Sequence, residues 1–168
     1  VGCSNFAAWQ VADADWIARR HGWASFVSAQ NHYSLLERDA ERELVPACLH
    51  FGLGVLPYFP LASGLLTGKY RRDTPPPEGA RMSDGRWSRR LAEAPWDLIE
   101  ALEEFAEKRG IGLLDVAIGG LAARPAVASV IAGATSAEQV RANVAAGAWV
   151  PGADDVADLD EILSGGSA

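Results

Sequence analysis

Segments with helical spacing alternate along this chain with apolar runs of strand length, and that alternation fixes the class of fold open to it. Val1-Gly2-Cys3-Ser4 reads as the end of a strand. Residues 7–20 are alanine-rich with apolar positions at helical spacing, and His21-Gly22 supplies a stop. Residues 25–30 predict a short strand. Residues 39–51 predict a helix with Leu44, Val45, Cys48 and Phe51 on one side, ended by Gly52, and residues 53–58 predict a buried strand. Further on, residues 96–108 and 113–123 predict helices, the first capped by Gly110. Residues 127–132 predict a strand, 137–148 a helix and 155–163 a last short helix. Strands alternating with helices imply parallel β/α units. Four strands, the first cut short, do not close a sheet, and a (β/α)₈ barrel takes about 250 residues. The pattern predicts an α/β fold equivalent to half a barrel.

A chain of 168 residues, 49% apolar and 22% charged, can bury a real core and is too apolar for disorder. The net charge of −7, with no Lys/Arg run, argues against nucleic acid as a partner. Cys3 and Cys48 are the only cysteines, which suits a reduced, cytoplasmic protein. Neither a basic-then-apolar leader nor a span-length apolar run is visible, so no membrane is expected. A start at the end of a strand reads as a piece of something larger, with a domain over 1–163 and a flexible tail over 164–168.

Residues 60–95 break the periodicity. They are rich in Gly, Pro, Arg and Ser, including Pro75-Pro76-Pro77, and so long an irregular stretch inside a compact domain is functional or disordered.

In parallel β/α units, ligand groups gather just after the strand ends. Four segments sit there: Gly2-Cys3-Ser4-Asn5-Phe6, Gln30-Asn31-His32-Tyr33-Ser34, the run from Tyr58 to Tyr70, and the run from Gly133 to Asn143. Read singly, Ser4-Asn5 is a turn or helix N-cap, Tyr58 a core tyrosine at a strand end, and Ser136 with Gln139 a capping box. Together and in order, the four segments resemble the aldo-keto reductases, close to the branch that includes potassium-channel β-subunits, over nearly the whole chain.

The resemblance implies the C-terminal half of a (β/α)₈ TIM barrel, strands 5–8 with their helices, the N-terminal half being absent. It implies a nicotinamide dinucleotide, NADP(H) with NAD(H) still open. Ser4, Asn5 and Gln30 match the positions that hold the nicotinamide carboxamide, which needs both donors and acceptors. Tyr58 matches the ring that stacks on the nicotinamide. Pro60, Leu61, Ala62, Ser63, Gly64 and Lys69 match a loop that folds over the pyrophosphate, where small residues permit close approach and a lysine offsets charge, and Phe59 just before it is counted with the cofactor-binding residues. Arg81 matches an arginine that stacks on adenine, in a loop that also carries Arg71, Arg72, Arg86, Arg89 and Arg90. Thr135, Gln139 and Asn143 match the site of the adenosine 2′-phosphate at a helix N-terminus, and Gly133 just before them is counted with the cofactor-binding residues. Thr135 stands where some relatives have arginine, and Arg141 lies on another face, so the resemblance favours NADP over NAD without securing it.

None of the family's catalytic Asp, Tyr, Lys and His can be carried onto this sequence, so no catalytic residue is assigned and the chain alone is expected to be inactive. Removing a placed acid alone costs about 10²–10⁴-fold. Two readings follow. One is the cofactor-binding portion of an NADP(H)-dependent reductase of aldehydes and ketones, whose carbonyl substrate needs the missing half. The other is a non-catalytic cofactor-sensing or interaction subunit. Open barrel edges predict that the isolated chain self-associates, recruits a missing half or exposes apolar surface. His32 reads as structural or solvated, Glu103, Glu104 and Glu107 as a solvated helix face, and Gly119-Gly120 as a helix weakened or packed more closely. No metal-ligand spacing is present.

Overall fold

The computed structural model describes residues 1–165. The chain divides into two compact units: Val1–Pro60 with Leu121–Gly133, and Leu61–Gly120 with the residues from Ala134 on.

The first unit is built on three parallel strands, β1 (Gly2–Ser4), β2 (Ser28–His32) and β3 (Gly54–Tyr58), side by side in that order. Helices α1 (Ala8–His21) and α2 (Leu44–Phe51) connect them. Each helix ends at a glycine in the left-handed region, Gly22 at φ 67° and Gly52 at φ 73°, where a side chain would be strained. The registers put Cys3 beside Ala29 and Ala29 beside Val55, and all three are buried. The period of two in a strand therefore sends Ser4, Gln30 and Leu56, and beyond them His32 and Tyr58, to the opposite face.

The structure corrects several boundaries. The second strand begins three residues later than the sequence suggests. The helix expected from residue 39 is a 3₁₀ turn, Asp39–Glu41, followed by α2. Residues 127–132 do not form a full fourth strand. They make two parallel bridges to β3, Val127 to Val55 and Ile131 to Tyr58, and the register slips by one residue between them. Pro57 explains the interruption: it accepts a hydrogen bond from Ile131 N at 2.9 Å but has no N–H to return.

The second unit carries α3 (Ser88–Ala92), α4 (Trp96–Lys108), α5 (Leu113–Asp115, continuing as a π-helical turn over Val116–Gly120), α6 (Ala137–Ala146) and α7 (Ala153–Gly165). Its core includes Ile99, Leu102 and Phe105 of α4 with Leu159 and Leu163 of α7. Arg109 fastens the two helices, reaching Asp155 and Asp158 at 2.6 Å each while lying 3.6 Å above the Phe105 ring. The paired glycines fall in the π-helical turn. A Cβ on Gly119 would stand 2.4 Å from Trp149 O, so the glycine serves close packing. Helix α7 enters the expected tail as far as Gly165; residues 166–168 of that tail lie outside the described residues.

The long irregular stretch is ordered in this unit by short turns, Ala62–Thr67, Arg81–Ser83 and Gly85–Trp87. Two arginines also tie it to α4: Arg71 pairs with Glu103 at 2.5 Å, and Arg72 with Asp97 and Glu100. Glu103 is thus an anchor of the loop, not part of a solvated face. Its burial raises the carboxyl pKa against the opposing pull of Arg71.

Candidate functional site

In the first unit, the turn after β1 and the ends of β2 and β3 bring the expected residues together. Asn5 adopts φ 57°, a conformation asparagine tolerates better than most residues. Its N–H donates to Gln30 O at 2.9 Å, and Ser4 Oγ donates to the same carbonyl at 3.2 Å. These bonds use the Gln30 backbone, not its side-chain amide. Tyr58 Oη donates to Asn5 Oδ1 at 2.8 Å. With its carbonyl oxygen engaged, the Asn5 amide presents its N–H₂ as a donor.

Phe59, directly after β3, has φ 54° and is 53% exposed. A non-glycine aromatic in this region carries about 1–3 kcal/mol of strain, and strain of this kind collects at binding sites. Pro60 is buried beside it, and Gly133 is exposed with open space where a Cβ would stand.

Two features here are not legible in the sequence. His32 is in register with Tyr58, and the two rings stack with centroids 5.5 Å apart and 12° between planes. Asn31 Nδ2 donates to Phe6 O at 3.2 Å, while Asn31 Oδ1 is buried without a hydrogen-bond partner. Behind them, buried Tyr33 donates to Glu41 Oε1 at 2.7 Å, and Arg38 grips Glu41 at 2.9 and 2.6 Å. Burial and then the hydrogen bond to Glu41 push the Tyr33 pKa up. Burial alone would raise Glu41, but Arg38 and Tyr33 outweigh it and hold its pKa low. The only sequence signal for this network is the spacing of Tyr33, Arg38 and Glu41 in a polar segment.

In the second unit, the turn Ala62–Thr67 holds three successive positive φ angles, Ala62 at 47°, Ser63 at 63° and Gly64 at 104°. Gly64 N–H and Leu66 N–H both donate to Leu61 O, at 2.7 and 3.3 Å, and Thr67 Oγ1 donates to Gly64 O at 2.7 Å. Two of the turn's N–H groups are thus spent on its own Leu61 carbonyl, which holds the coil of positive-φ residues together. A Cβ on Gly64 would lie 3.3 Å from the Tyr70 ring and 3.7 Å from Lys69 Nζ, so the lysine head lies over this turn. Arg81 is exposed and opens the turn Arg81–Ser83.

Also in the second unit, Ser136 caps α6 by accepting from Gln139 N at 3.3 Å. The reciprocal arm of a capping box is displaced by one residue: Gln139 Oε1 accepts from Thr135 N at 2.8 Å and Thr135 Oγ1 at 3.2 Å. Asn143 is half-buried one turn further on. Among the described residues, no group of His, Cys, Asp and Glu side chains could hold a metal ion, and no helix is long and apolar enough to cross a membrane.

A family model described as the aldo/keto reductase family matches residues 1–164. The chain is 34% identical over 126 residues to versiconal hemiacetal acetate reductase of Aspergillus parasiticus, covering 74% of this chain and 37% of that one. It is 32% identical over 168 residues to an aldo-keto reductase of Fusarium vanettenii, covering 98% of this chain and 44% of that one. It is 39% identical over 99 residues to aflatoxin B1 aldehyde reductase member 2 of Rattus norvegicus, covering 57% and 27%. The chain thus spans less than half the length of each of these relatives.

Proposed function

The chain belongs to the aldo/keto reductase family, and from that premise we propose that it is the nicotinamide-cofactor-binding portion of a reductase acting on aldehydes or ketones, with NADP(H) as cofactor. The observation that carries this reading is the cluster of Ser4, Asn5, Gln30 and Tyr58 on one face of the parallel strands, tied by the Tyr58–Asn5 and Asn5–Gln30 hydrogen bonds. That face offers hydroxyl and amide groups of both polarities beside an aromatic ring, which fits a nicotinamide carboxamide and its ring.

The residues divide the work. Ser4, Asn5 and Gln30 would hold the carboxamide, and Tyr58, steadied by Asn5 and His32, would set the plane of the ring. Orienting the ring selects the face from which hydride leaves, the kind of positioning from which enzymes draw much of their rate. The Ala62–Thr67 turn and Lys69 would take the pyrophosphate, Arg81 the adenine, and Thr135, Gln139 and Asn143 the 2′-phosphate. When bound, the cofactor supplies the hydride. The Asp, Tyr, Lys and His that handle the proton in this family have no match here, and we assign them to a complementary half of the barrel.

Architecture supports the half-barrel reading: strands run parallel in chain order, and the bridges at Val127 and Ile131 mark a fourth position beside β3. Cys3 and Cys48, both buried and unpaired, suit a reducing compartment such as the cytoplasm.

Titration of the chain with NADPH and separately NADH, followed by tryptophan quenching, tests the proposal. Saturable binding, tighter for NADPH, is expected. A folded sample that binds neither dinucleotide would refute it.

A further inference from the structure

Tyr70 lies in the second unit just beyond Gly68, whose φ of 76° turns the chain. The turn leaves Lys69 exposed and sends Tyr70 inward, where it is 1% exposed. A phenol so deeply buried must find a partner for its oxygen. It finds the backbone of another part of the loop: Met82 N–H donates to Tyr70 Oη at 3.2 Å. Met82 is itself 2% exposed and sits in the turn Arg81–Ser83.

Within the turn, Ser83 N and Ser83 Oγ both donate to Ala80 O, at 3.0 and 2.7 Å. Such bonds shape it without locating it. The Tyr70–Met82 bond, together with the buried Met82 side chain, fixes where it sits, and so where the neighbouring Arg81 starts. The same ring meets two other groups. Lys69 Nζ stands 5.2 Å from its centroid, a cation–π distance, and its edge closes the space beside Gly64. One buried ring thus stands beside the Gly64 turn, the lysine next to it and the segment that carries Arg81.

We propose that Tyr70 is a positioning residue for the adenosine end of the dinucleotide: it sets Lys69, the Gly64 turn and the Arg81 segment in mutual register without itself touching the cofactor. The inference rests on the dinucleotide reading above. It separates from a merely structural role because only ligands that reach these groups should notice the change.

The variant is Tyr70→Phe, which keeps the ring and its packing and removes only the acceptor for Met82 N–H. In the full chain, affinity for NADPH and for 2′-phospho-ADP-ribose should fall about five- to tenfold, because binding must then order the Arg81 segment without a bond of about 1 kcal/mol that places it beforehand. Affinity for reduced nicotinamide mononucleotide, which lacks the adenosine end, should not change. An equal loss for all three ligands makes Tyr70 a general stabiliser and overturns the proposal, as does an unchanged NADPH affinity. If the wild-type chain binds no dinucleotide, the functional reading fails and this inference falls with it, a result distinct from a wild type that binds and a variant that binds equally well. Amide exchange in the wild type gives a second measurement that needs no variant. Met82 N–H should exchange more slowly when 2′-phospho-ADP-ribose is added and at an unchanged rate with the mononucleotide. The same rate with and without 2′-phospho-ADP-ribose overturns the proposal.

Discussion

Tyr58 Oη donates a 2.8 Å hydrogen bond to Asn5 Oδ1, joining the end of β3 to the turn after β1 across the strand that lies between them. The bond turns two strand ends into one surface and fixes which atoms of Asn5 face outward. In Tyr58→Phe the Asn5 amide is free to rotate, and its donor no longer has a set direction. Because the pair is exposed, the chain's own stability should fall by no more than about 1 kcal/mol. NADPH affinity should fall about three- to tenfold. Parallel thermal denaturation and cofactor titration separate the two effects, and a large stability loss with intact binding would count against this role.

The Tyr33–Glu41–Arg38 network makes stability depend on pH at its acid end. Burial works to raise the Glu41 pKa, but the bonds from Arg38 and Tyr33 more than offset it, so the folded value lies below the unfolded one. A depressed carboxylate pKa contributes stability above the unfolded value, near 4.3, and loses it as pH falls through the folded value. Glu41→Gln should therefore be less stable than wild type at pH 7, and the difference should shrink below about pH 4. Urea denaturation at both pH values measures this; a gap that stays constant with pH assigns the effect to packing instead.

Local signals make the helices legible. Gly22, Gly52 and Gly110 each take a positive φ just where a periodic segment stops. The strand faces follow from alternation, which sends Cys3, Ala29 and Val55 to one side and Ser4, Gln30 and Tyr58 to the other. The interrupted fourth strand cannot be read the same way, because its cause is Pro57 on the neighbouring strand. Long-range partners are equally hidden. Nothing local to Tyr70 announces Met82, and the charged face of α4 looks solvated in sequence because Arg71 and Arg72 reach it from a loop about 30 residues away. The capping pair at Ser136 is visible, but the choice of Gln139 to bond Thr135 rests on side-chain geometry that spacing alone leaves undetermined.

Gly119 and Gly147 give opposite expectations for the same substitution. Alanine favours a helix interior over glycine by about 1 kcal/mol. At Gly119 that gain meets Trp149 O at 2.4 Å, Trp149 Cε3 at 3.0 Å and Ala146 O at 3.2 Å. Gly119→Ala should destabilise the chain by about 1–3 kcal/mol through overpacking. Gly147 has φ −69°, and its nearest neighbour to a Cβ is at 3.5 Å. Gly147→Ala should be neutral or stabilising by up to about 1 kcal/mol. Urea midpoints of the two variants, compared with wild type, decide both.

Trp9 and Trp16 lie seven residues apart on α1, hence on one face, and are 67% and 72% exposed; Trp23, just past the helix, is 65% exposed. Large aromatic side chains in such numbers at a surface mark a contact region. The purified chain should self-associate at micromolar concentration, and Trp9→Glu with Trp16→Glu should return it to monomer with α1 intact. Sedimentation velocity over a concentration series reads this directly. A wild-type monomer at every concentration rejects the expectation.

Thr135 N–H points at the Gln139 side chain, whose Oε1 also accepts from Thr135 Oγ1. For an anion to use the same N–H, the Gln139 carboxamide must rotate, after which its N–H₂ can donate to that anion. A neutral amide makes this exchange cheap because it offers both polarities. Gln139→Glu removes the option. The carboxylate should hold Thr135 N–H more tightly, suit the first turn of α6 by its charge, and repel a 2′-phosphate. NADPH affinity should fall tenfold or more, by about 1.4 kcal/mol at least, while NADH affinity holds steady and the midpoint of thermal unfolding does not fall. Paired titrations of one variant with both dinucleotides give the answer. Equal losses for the two would move the 2′-phosphate away from α6, leaving Thr135 and Gln139 as a helix cap alone.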